Sequence, residues 1–168
     1  MNVCLGESEI HGKGVFAQRH LHQGQVILIF DDSRIVDDDH PLANDESSDY
    51  CDYLPNGAVV LMQEPERHIN HSCSPNVYVY STDQERYLLA MSDIEEGVEL
   101  TYDYSINAVE GDIWECGCGA ANCRGEHKCD FFCLPLERQT QYLPYLDPWF
   151  AQVHEDRIKT ILQSTVVS

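Results

Sequence analysis

Residues 67–76 read Arg67-His68-Ile69-Asn70-His71-Ser72-Cys73-Ser74-Pro75-Asn76, with Ile69 as the one aliphatic side chain. The segment lies between two apolar runs typical of strands, where a core strand would carry Val and Leu. Asn offers a donor and an acceptor, neutral His can bind a metal or a hydrogen-bond partner, and Cys can supply a thiolate. The decapeptide therefore predicts a functional site. A plain Ser/Pro/Asn turn is the alternative.

Two further clusters follow downstream. One is the aromatic run Glu99-Leu100-Thr101-Tyr102-Asp103-Tyr104, and the other is Cys116-Gly117-Cys118-Gly119-Ala120-Ala121-Asn122-Cys123. Three cysteines within eight residues of a Gly-rich loop have the spacing of a zinc site rather than of disulfides. A closed zinc site takes four ligands. The candidates for the fourth are Cys73, His127, Cys129 and Cys133, and proximity in the sequence favours the last three.

Together with Gly12-Lys13-Gly14, these motifs occur in the order found in the SET-domain protein lysine methyltransferases, which the chain resembles over roughly residues 8 to 126. The resemblance implies a mostly β domain of short strands, with the Tyr104 segment threaded like a pseudoknot beneath the Asn-His loop. It also implies a zinc-stapled post-SET tail. We expect a SET domain in residues 1–110, a post-SET segment in 111–130 and a C-terminal helical extension in 131–168.

The resemblance also implies where the cofactor binds. It assigns S-adenosylmethionine to Gly12, Lys13, Gly14, Asn70 and His71, with Trp114 or Phe131 stacked on the adenine and S-adenosylhomocysteine as the product. Arg67 pairs either with the cofactor carboxylate or with Glu64 or Glu66. The resemblance takes Cys73 as the fourth zinc ligand beside Cys116, Cys118 and Cys123.

The resemblance to the family assigns the catalytic roles to tyrosines. Tyr104 matches the family's catalytic tyrosine, and Tyr50 matches its substrate-channel tyrosine, with Tyr53 as the alternative. Tyr102 stands where the family has Tyr or Phe. A hydroxyl there would occupy the space that an added methyl needs, so it predicts mainly mono-methylated lysine. Alternation along the strand points Asp103 away from the tyrosines and predicts a structural role.

The net charge of the chain limits the kinds of macromolecule that it can bind. The chain has 168 residues and a formal net charge of −19, with only 10 Lys and Arg. Nucleic-acid binding needs clusters of basic residues, so we expect no direct nucleic-acid contact. Eight carboxylates lie between Asp31 and Asp49 against Arg34 alone. This acidic patch could steer a basic polypeptide such as a histone tail, or could serve solubility only.

Two other functions remain as alternatives. A catalytically silent SET-fold module would bind zinc and peptide without turnover. A zinc hydrolase using His68 or His71 is disfavoured, because an all-cysteine site leaves no open position for water. The sequence has no signal-peptide pattern and no run of 18 apolar residues, so we expect a soluble intracellular protein with no membrane contact. Nuclear, cytoplasmic and secreted-effector locations all stay open.

The local pattern predicts several elements. Residues 25–30 should form a strand buried on both faces, and residues 31–49 an exposed loop. Hairpins are expected at 50–54 with 58–62 and at 76–81 with 86–91. A helix over 134–146 should be interrupted by Pro144. A helical stripe follows, formed by Trp149, Phe150, Val153, Arg157, Ile158, Ile161 and Leu162. This stripe packs on the domain or, alternatively, forms a homodimer contact.

Overall fold

The computed structural model describes residues 2–166, in which short strands precede three helices. The strands are β1 Val3–Glu7, β2 Lys13–Ala17, β3 Val26–Ile29, β4 Ile35–Val36, β5 Cys51–Tyr53, β6 Val59–Leu61, β7 Asn70–His71, β8 Val77–Ser81, β9 Arg86–Ala90, β10 Glu99–Tyr102, β11 Ile113–Glu115 and β12 Glu126–Lys128. The helices are α1 Leu136–Tyr142, α2 Pro148–Val153 and α3 Glu155–Val166. The predicted mostly β architecture with C-terminal helices is confirmed.

The strands form four small sheets, ordered β1-β2-β10-β7, β3-β9-β8, β4-β6-β5 and β11-β12. Strand β10 runs antiparallel to β2 and parallel to β7, with Thr101 beside Asn70. Beyond the strand pairing, the Ser72 backbone N–H donates to the Tyr102 carbonyl at 3.0 Å and that of Asn76 to the Thr101 carbonyl at 3.1 Å. Strand β10 therefore fastens the Asn-His loop to the N-terminal hairpin.

Two hydrophobic cores lie beside each other. The first lies between the sheets and includes the fully buried Val15, Leu88 and Leu100. The second joins Ile106 and Phe131 to the C-terminal helices. The side chain of Tyr102 packs against both cores, so β10 ends where they meet.

Both predicted hairpins are present, since β5 pairs with β6 and β8 with β9 in antiparallel register. Two other expectations need correction. Val26 and Ile29 are 44% and 51% exposed, because β3 lies at a sheet edge, pairs only with β9 and has an irregular register. The strand is thus not buried on both faces. The segment 31–49 is not wholly loop, because β4 pairs with β6.

The predicted helix over 134–146 is α1, which ends at Tyr142 before a short 3-10 turn that contains Pro144. The terminal stripe is divided, because α2 ends at Val153 and α3 starts at Glu155. Phe150 in α2 and Ile161 in α3 are buried, whereas Val153, the last residue of α2, is 67% exposed. The expectation that Val153 packs inward is wrong. The homodimer contact stays a prediction.

None of the helices within residues 2–166 has the length and apolar character that crossing a bilayer requires.

Candidate functional site

A cavity of about 740 Å³ opens between the Gly12 turn, the Tyr50 strand, the Asn-His loop and the C-terminal extension. This volume is in the range of about 300–1,000 Å³ that is usual for small-molecule sites. Seven of the predicted site residues line it, namely Gly12, Lys13, Tyr50, Arg67, Asn70, Tyr102 and Tyr104. Gly14, His71 and Trp114 lie outside its wall although they are in the described part of the chain.

Asn70 anchors the turn that precedes β2. Its Nδ2 lies 3.0 Å from the Lys13 carbonyl, 3.1 Å from the His11 carbonyl and 2.8 Å from Glu99 Oε1. Gly12 has a φ of 48°, a left-handed conformation that favours glycine. The Asn70 amide nitrogen is thus fully engaged within the protein, and it holds the glycine turn at the cavity.

Gly14 has a packing role. A Cβ there would collide with the carboxylate of Glu99, which also accepts a hydrogen bond from Ser8 Oγ at 2.8 Å. The second glycine of the motif therefore allows β10 to approach β2 closely. Gly14 is not among the residues that line the cavity, and the backbone contact with the cofactor expected for it stays a prediction.

Tyr104 lies just beyond the end of β10 and is held at several atoms. Its backbone N–H donates to His71 Nδ1 at 3.2 Å, and its hydroxyl donates to the Ile69 carbonyl at 2.7 Å. The Cys129 thiol donates to the Tyr104 carbonyl at 2.9 Å. Burial raises the pKa of Tyr104 to about 12, so the phenol is protonated at neutral pH. The contact from Cys129 was not predicted.

Tyr102 is fixed in the same wall. Its hydroxyl donates to the Ile106 carbonyl at 2.7 Å and accepts from Asn107 Nδ2 at 3.2 Å. Burial raises the pKa of Tyr102 well above its ordinary value. Asn107 has a φ of 65° and accepts the Asp147 backbone N–H at 2.8 Å. Asn107 was missed in the sequence, although Asn is one of the few non-glycine residues that tolerate positive φ.

Arg67 pairs with Glu64, which is one of the three partners that the sequence analysis considered. Its Nη2 lies 2.7 Å from Glu64 Oε1, and its guanidinium lies 5.4 Å from the centre of the Tyr50 ring. Glu66 is instead buried and accepts the Asp31 backbone N–H at 3.0 Å. Arg67 thus braces Tyr50 at the cavity wall.

A buried ion pair joins the cysteine tail to the end of β10. Arg124 Nη1 lies 2.7 Å from Asp103 Oδ2 and its Nη2 lies 2.9 Å from Asp103 Oδ1, while the Tyr142 hydroxyl donates to the same carboxylate at 3.1 Å. Burial alone would raise the pKa of Asp103, but the Arg124 guanidinium outweighs it and lowers that pKa. Asp103 points away from the cavity, as predicted. Arg124 and Tyr142 were not identified in the sequence.

The two candidates for stacking on adenine differ in position. Trp114 is partly exposed, with its ring centre 6.1 Å from that of Tyr104 and 4.2 Å from that of His127. Phe131 is fully buried in the C-terminal core, 5.9 Å from Phe150. Phe131 is therefore wrong as an adenine contact, whereas Trp114 lies beside Tyr104.

Three of the four predicted zinc ligands lie together beside the Asn-His loop. The Sγ atoms of Cys73, Cys116 and Cys118 and a ring nitrogen of His71 all lie within 4.8 Å of one another. Cys123 Sγ lies 3.3 Å from the Cys116 carbonyl. All eight cysteines, each within the described residues, are free thiols. Such a sulfur-rich donor set fits Zn²⁺.

The remaining candidates for the fourth ligand lie elsewhere. The His127 ring is tilted by 42° against the Trp114 ring, Cys129 contacts Tyr104, and Cys133 is exposed. Within the cluster, burial disfavours the Cys118 thiolate, but backbone N–H donors from Cys73 and Ala120 outweigh it and lower the pKa of Cys118 to about 7. One thiolate is thus favoured near neutral pH before any metal binds.

The sequence of this chain is similar to those of known proteins. A family model for the SET domain matches residues 12–105. Histone-lysine N-methyltransferase 2D of Homo sapiens is 33% identical over 140 residues, covering 73% of this chain and 2% of that protein. Histone-lysine N-methyltransferase mes-4 of Caenorhabditis elegans is 30% identical over 147 residues, covering 73% of this chain and 16% of that protein. The chain therefore spans only a small part of these relatives.

Among solved structures, KRYPTONITE in complex with mCHG DNA and SAH superposes with a TM-score of 0.57 at 23% identity, covering 74% of this chain and 28% of that one. This likeness shows a shared fold. The family match spans more than half of the chain and contains the glycine turn, the Asn-His loop and Tyr104. The chain belongs to the SET-domain family.

Proposed function

We propose that the chain is a protein-lysine N-methyltransferase domain that uses S-adenosylmethionine and acts on a basic polypeptide, with a histone tail as the first candidate. One observation carries the proposal. Tyr102 and Tyr104, at the end of β10, and Tyr50, just before β5, line one cavity together with the Gly12 turn and Asn70. The names of the relatives, both histone-lysine N-methyltransferases, point to the same reaction.

The reaction requires an uncharged amine. S-adenosylmethionine would supply a sulfonium methyl group. The lysine nitrogen would attack the methyl carbon in line, so that the C–N bond forms as the C–S bond breaks and S-adenosylhomocysteine leaves. A free lysine has a pKa of about 10.4, so presenting its neutral form at pH 7 costs about 4.6 kcal/mol. Desolvation in a channel of aromatic rings lowers the amine pKa and offsets this cost. The buried phenols of Tyr102 and Tyr104 provide such a wall.

Tyr104 acts by alignment. Its pKa of about 12 keeps the hydroxyl protonated at neutral pH, so it is not the group that accepts the amine proton. The hydrogen bonds to Ile69 and His71 fix both the ring and the backbone of Tyr104. A fixed phenol can hold the amine in one approach direction, which is how positioning accelerates a displacement. The Gly12 turn, Lys13 and Asn70 would hold the cofactor, with Arg67 and Trp114 at its edge.

Tyr102 sets the product. Because its hydroxyl is fixed by Ile106 and Asn107, it keeps a constant position in the cavity wall. We infer that it fills the space an added methyl group would need, so that mono-methyl-lysine is the main product.

Acidic groups favour a cationic substrate. Asp49 and Asp52 line the cavity, and Asp52 forms an ion pair with Arg86, which also binds Asp32 at 2.6 Å. A negative surface around a cavity attracts Lys/Arg-rich segments and repels phosphates. The net charge of −19 also favours binding of a cationic substrate.

The cysteine cluster would hold Zn²⁺ through Cys73, Cys116, Cys118 and Cys123. The metal would pin the tail against the Asn-His loop and stabilise that wall of the cavity. We place the SET domain in residues 1–110, the post-SET segment in 111–130 and the helical extension in 131–168. Asp147 and Trp149 line the cavity, so the extension also contributes to the site.

Methyl transfer tests the proposal directly. Zinc-loaded protein is incubated with radiolabelled S-adenosylmethionine and recombinant core histones, and the modified peptides are identified by mass spectrometry. We expect labelled lysine with the unmodified chain and a loss of about 10²–10³-fold with Tyr104→Phe, as when one positioned donor is removed.

The matched control is Tyr53→Phe. Tyr53 lines the same cavity but is largely exposed, so its variant should retain transfer. Binding of S-adenosylmethionine without transfer to any basic protein would identify a silent binding module instead. Equal loss in both variants would remove the assigned role of Tyr104.

A further inference from the structure

A second group of potential metal ligands lies away from the cavity, where the chain between β2 and β3 meets the chain between β9 and β10. Leu21 and Ile94 form an antiparallel bridge, in which each backbone N–H donates to the other residue's carbonyl at 2.8 Å. Both side chains are buried in the first core. The bridge is therefore a rigid base built on the core.

The bridge fixes the direction of its neighbours. Side chains alternate along an extended chain, so residues next to an inward-facing pair face solvent. In an antiparallel pair, His20 stands opposite Glu95 and His22 opposite Asp93. Four side chains with ligand chemistry are thus displayed on one face.

The distances bring three of these side chains together. His20, His22 and Asp93 each offer one ligand atom within 4.8 Å of the others. The His20 and His22 rings lie 4.7 Å apart, and His20 Nε2 lies 4.0 Å from Asp93 Oδ2. Two ligands of a tetrahedral ion, each at about 2.1 Å, are about 3.4 Å apart, so small side-chain rotations are sufficient.

Two further contacts orient these ligands. His20 Nδ1 lies 3.2 Å from Glu95 Oε2, which leaves Nε2 for a metal. The Gln23 backbone N–H donates to Asp93 Oδ1 at 2.8 Å, which leaves Oδ2 facing His20. A carboxylate on the second nitrogen of a ligating histidine is the usual way in which proteins orient such a ligand.

We propose that His20, His22 and Asp93 form a surface site for a divalent transition-metal ion of the zinc class, with Glu95 orienting His20. Imidazole and carboxylate donors suit such ions, and three protein ligands leave a position for water or a partner's side chain. The site joins the two connecting segments across the Leu21–Ile94 bridge. None of its four residues lines the cavity, so the site is separate from methyl transfer.

Zinc titration tests the proposal. The cysteine cluster is first saturated with Zn²⁺ and excess metal is removed by dialysis. Calorimetric titration with further Zn²⁺ should then show one additional equivalent. A double variant, His20→Gln with His22→Gln, should lose that equivalent and keep the first. Asp93→Asn should weaken the additional binding by at least about tenfold.

The chain offers a matched control. His40 is an exposed histidine whose Nδ1 lies 2.9 Å from Asp37 Oδ1, a histidine–carboxylate pair without the second histidine of the proposed site. His40→Gln should leave both equivalents intact. Methyl transfer by the double variant, and its thermal unfolding in the absence of the additional Zn²⁺, should match those of the unmodified chain.

Cobalt distinguishes this site from the thiols. Co²⁺ added after the cysteines are filled with zinc should give ligand-field absorption without a thiolate charge-transfer band. Absence of the additional equivalent, its persistence in the double variant, or its loss with Cys118→Ser alone would each overturn the proposal.

Discussion

The Asn-His loop, which lines the cavity (the first wall), and the cysteine tail, which packs on that loop through the thiol cluster (the second wall), are held by different interactions. The Asn-His loop is joined to β10 by direct hydrogen bonds, including those of Ser72 and Asn76 to the Tyr102 and Thr101 backbone. The cysteine tail, residues 116–124, is held mainly by side chains, through the Arg124–Asp103 pair and the thiol cluster. The comparison indicates that the first wall folds with the domain, whereas the second depends on a few replaceable groups.

Removal of the metal should produce the largest difference in stability between the two walls. Chelation, or Cys73→Ser, should lose zinc and methyl transfer together, because structural zinc contributes about 10 kcal/mol or more to a thiolate site. Hydrogen exchange should accelerate in residues 116–124 and remain slow in residues 99–104. Cys4→Ser is the control, since Cys4 is exposed in β1 and outside the cluster.

Retention of a full equivalent of zinc by the Cys73→Ser variant would show that Cys73 is not a ligand. Fast exchange in both segments would contradict the proposed independence of the first wall.

Arg124→Gln should produce the next largest effect. The substitution leaves the fully buried Asp103 carboxylate with the Tyr142 hydroxyl but no cation. Breaking a buried pair from one side lowers the free energy of unfolding by about 3–5 kcal/mol. Urea denaturation measures this loss. Adding Asp103→Asn should recover part of it, because the uncompensated charge is then removed.

If the double variant were as unstable as Arg124→Gln alone, the buried charge would not be the cause. Zinc stoichiometry should be unchanged in both variants, since neither side chain is a metal ligand.

Asn76→Ala tests the first wall with a smaller expected change. The Asn76 side chain donates to the Glu99 carbonyl and accepts the Thr101 backbone N–H, both at 2.8 Å. Its loss leaves two backbone groups of β10 unpaired and should lower the free energy of unfolding by about 1–3 kcal/mol. Zinc binding should be unaffected. A loss of zinc in this variant would show that the two walls are coupled.

The sequence predicted the first wall better than the second. The glycine turn, Asn70 and Tyr104 stand in motifs whose order is informative, and the structure brings them to one cavity. Arg124 and Asp147 have no comparable local pattern. Their partners, Asp103 and Asn107, are more than 20 residues away along the chain, so only the folded structure reveals the contacts.

The wrong predictions also arose because a local sequence pattern does not show which parts of the folded chain pack together. Val26 and Ile29 were predicted to be core residues. An apolar run does not show whether a strand pairs with one neighbouring strand or with two. Phe131 read as a cofactor contact because it follows the cysteine tail, but its aromatic partners include Phe150 of α2. The apolar period continues across His154 and so gave no sign of the helix break there, and Val153, the last residue before the break, is exposed.

The smallest expected effect concerns the product rather than the rate. Tyr102→Phe removes a hydroxyl that donates to the Ile106 carbonyl and accepts from Asn107, while the ring continues to fill the space between the two cores. The protein should remain folded, and mass spectrometry should show more di- and tri-methyl-lysine. Because burial holds the pKa of Tyr102 well above its ordinary value, the phenol stays protonated and the wild-type product ratio should not change between about pH 7 and 9. Asn107→Ala removes one partner of the same hydroxyl and should shift the products in the same direction by less. A wild-type product that is mainly tri-methylated would refute the assigned role of the hydroxyl, and an unchanged product in Tyr102→Phe would transfer it to another group in the wall.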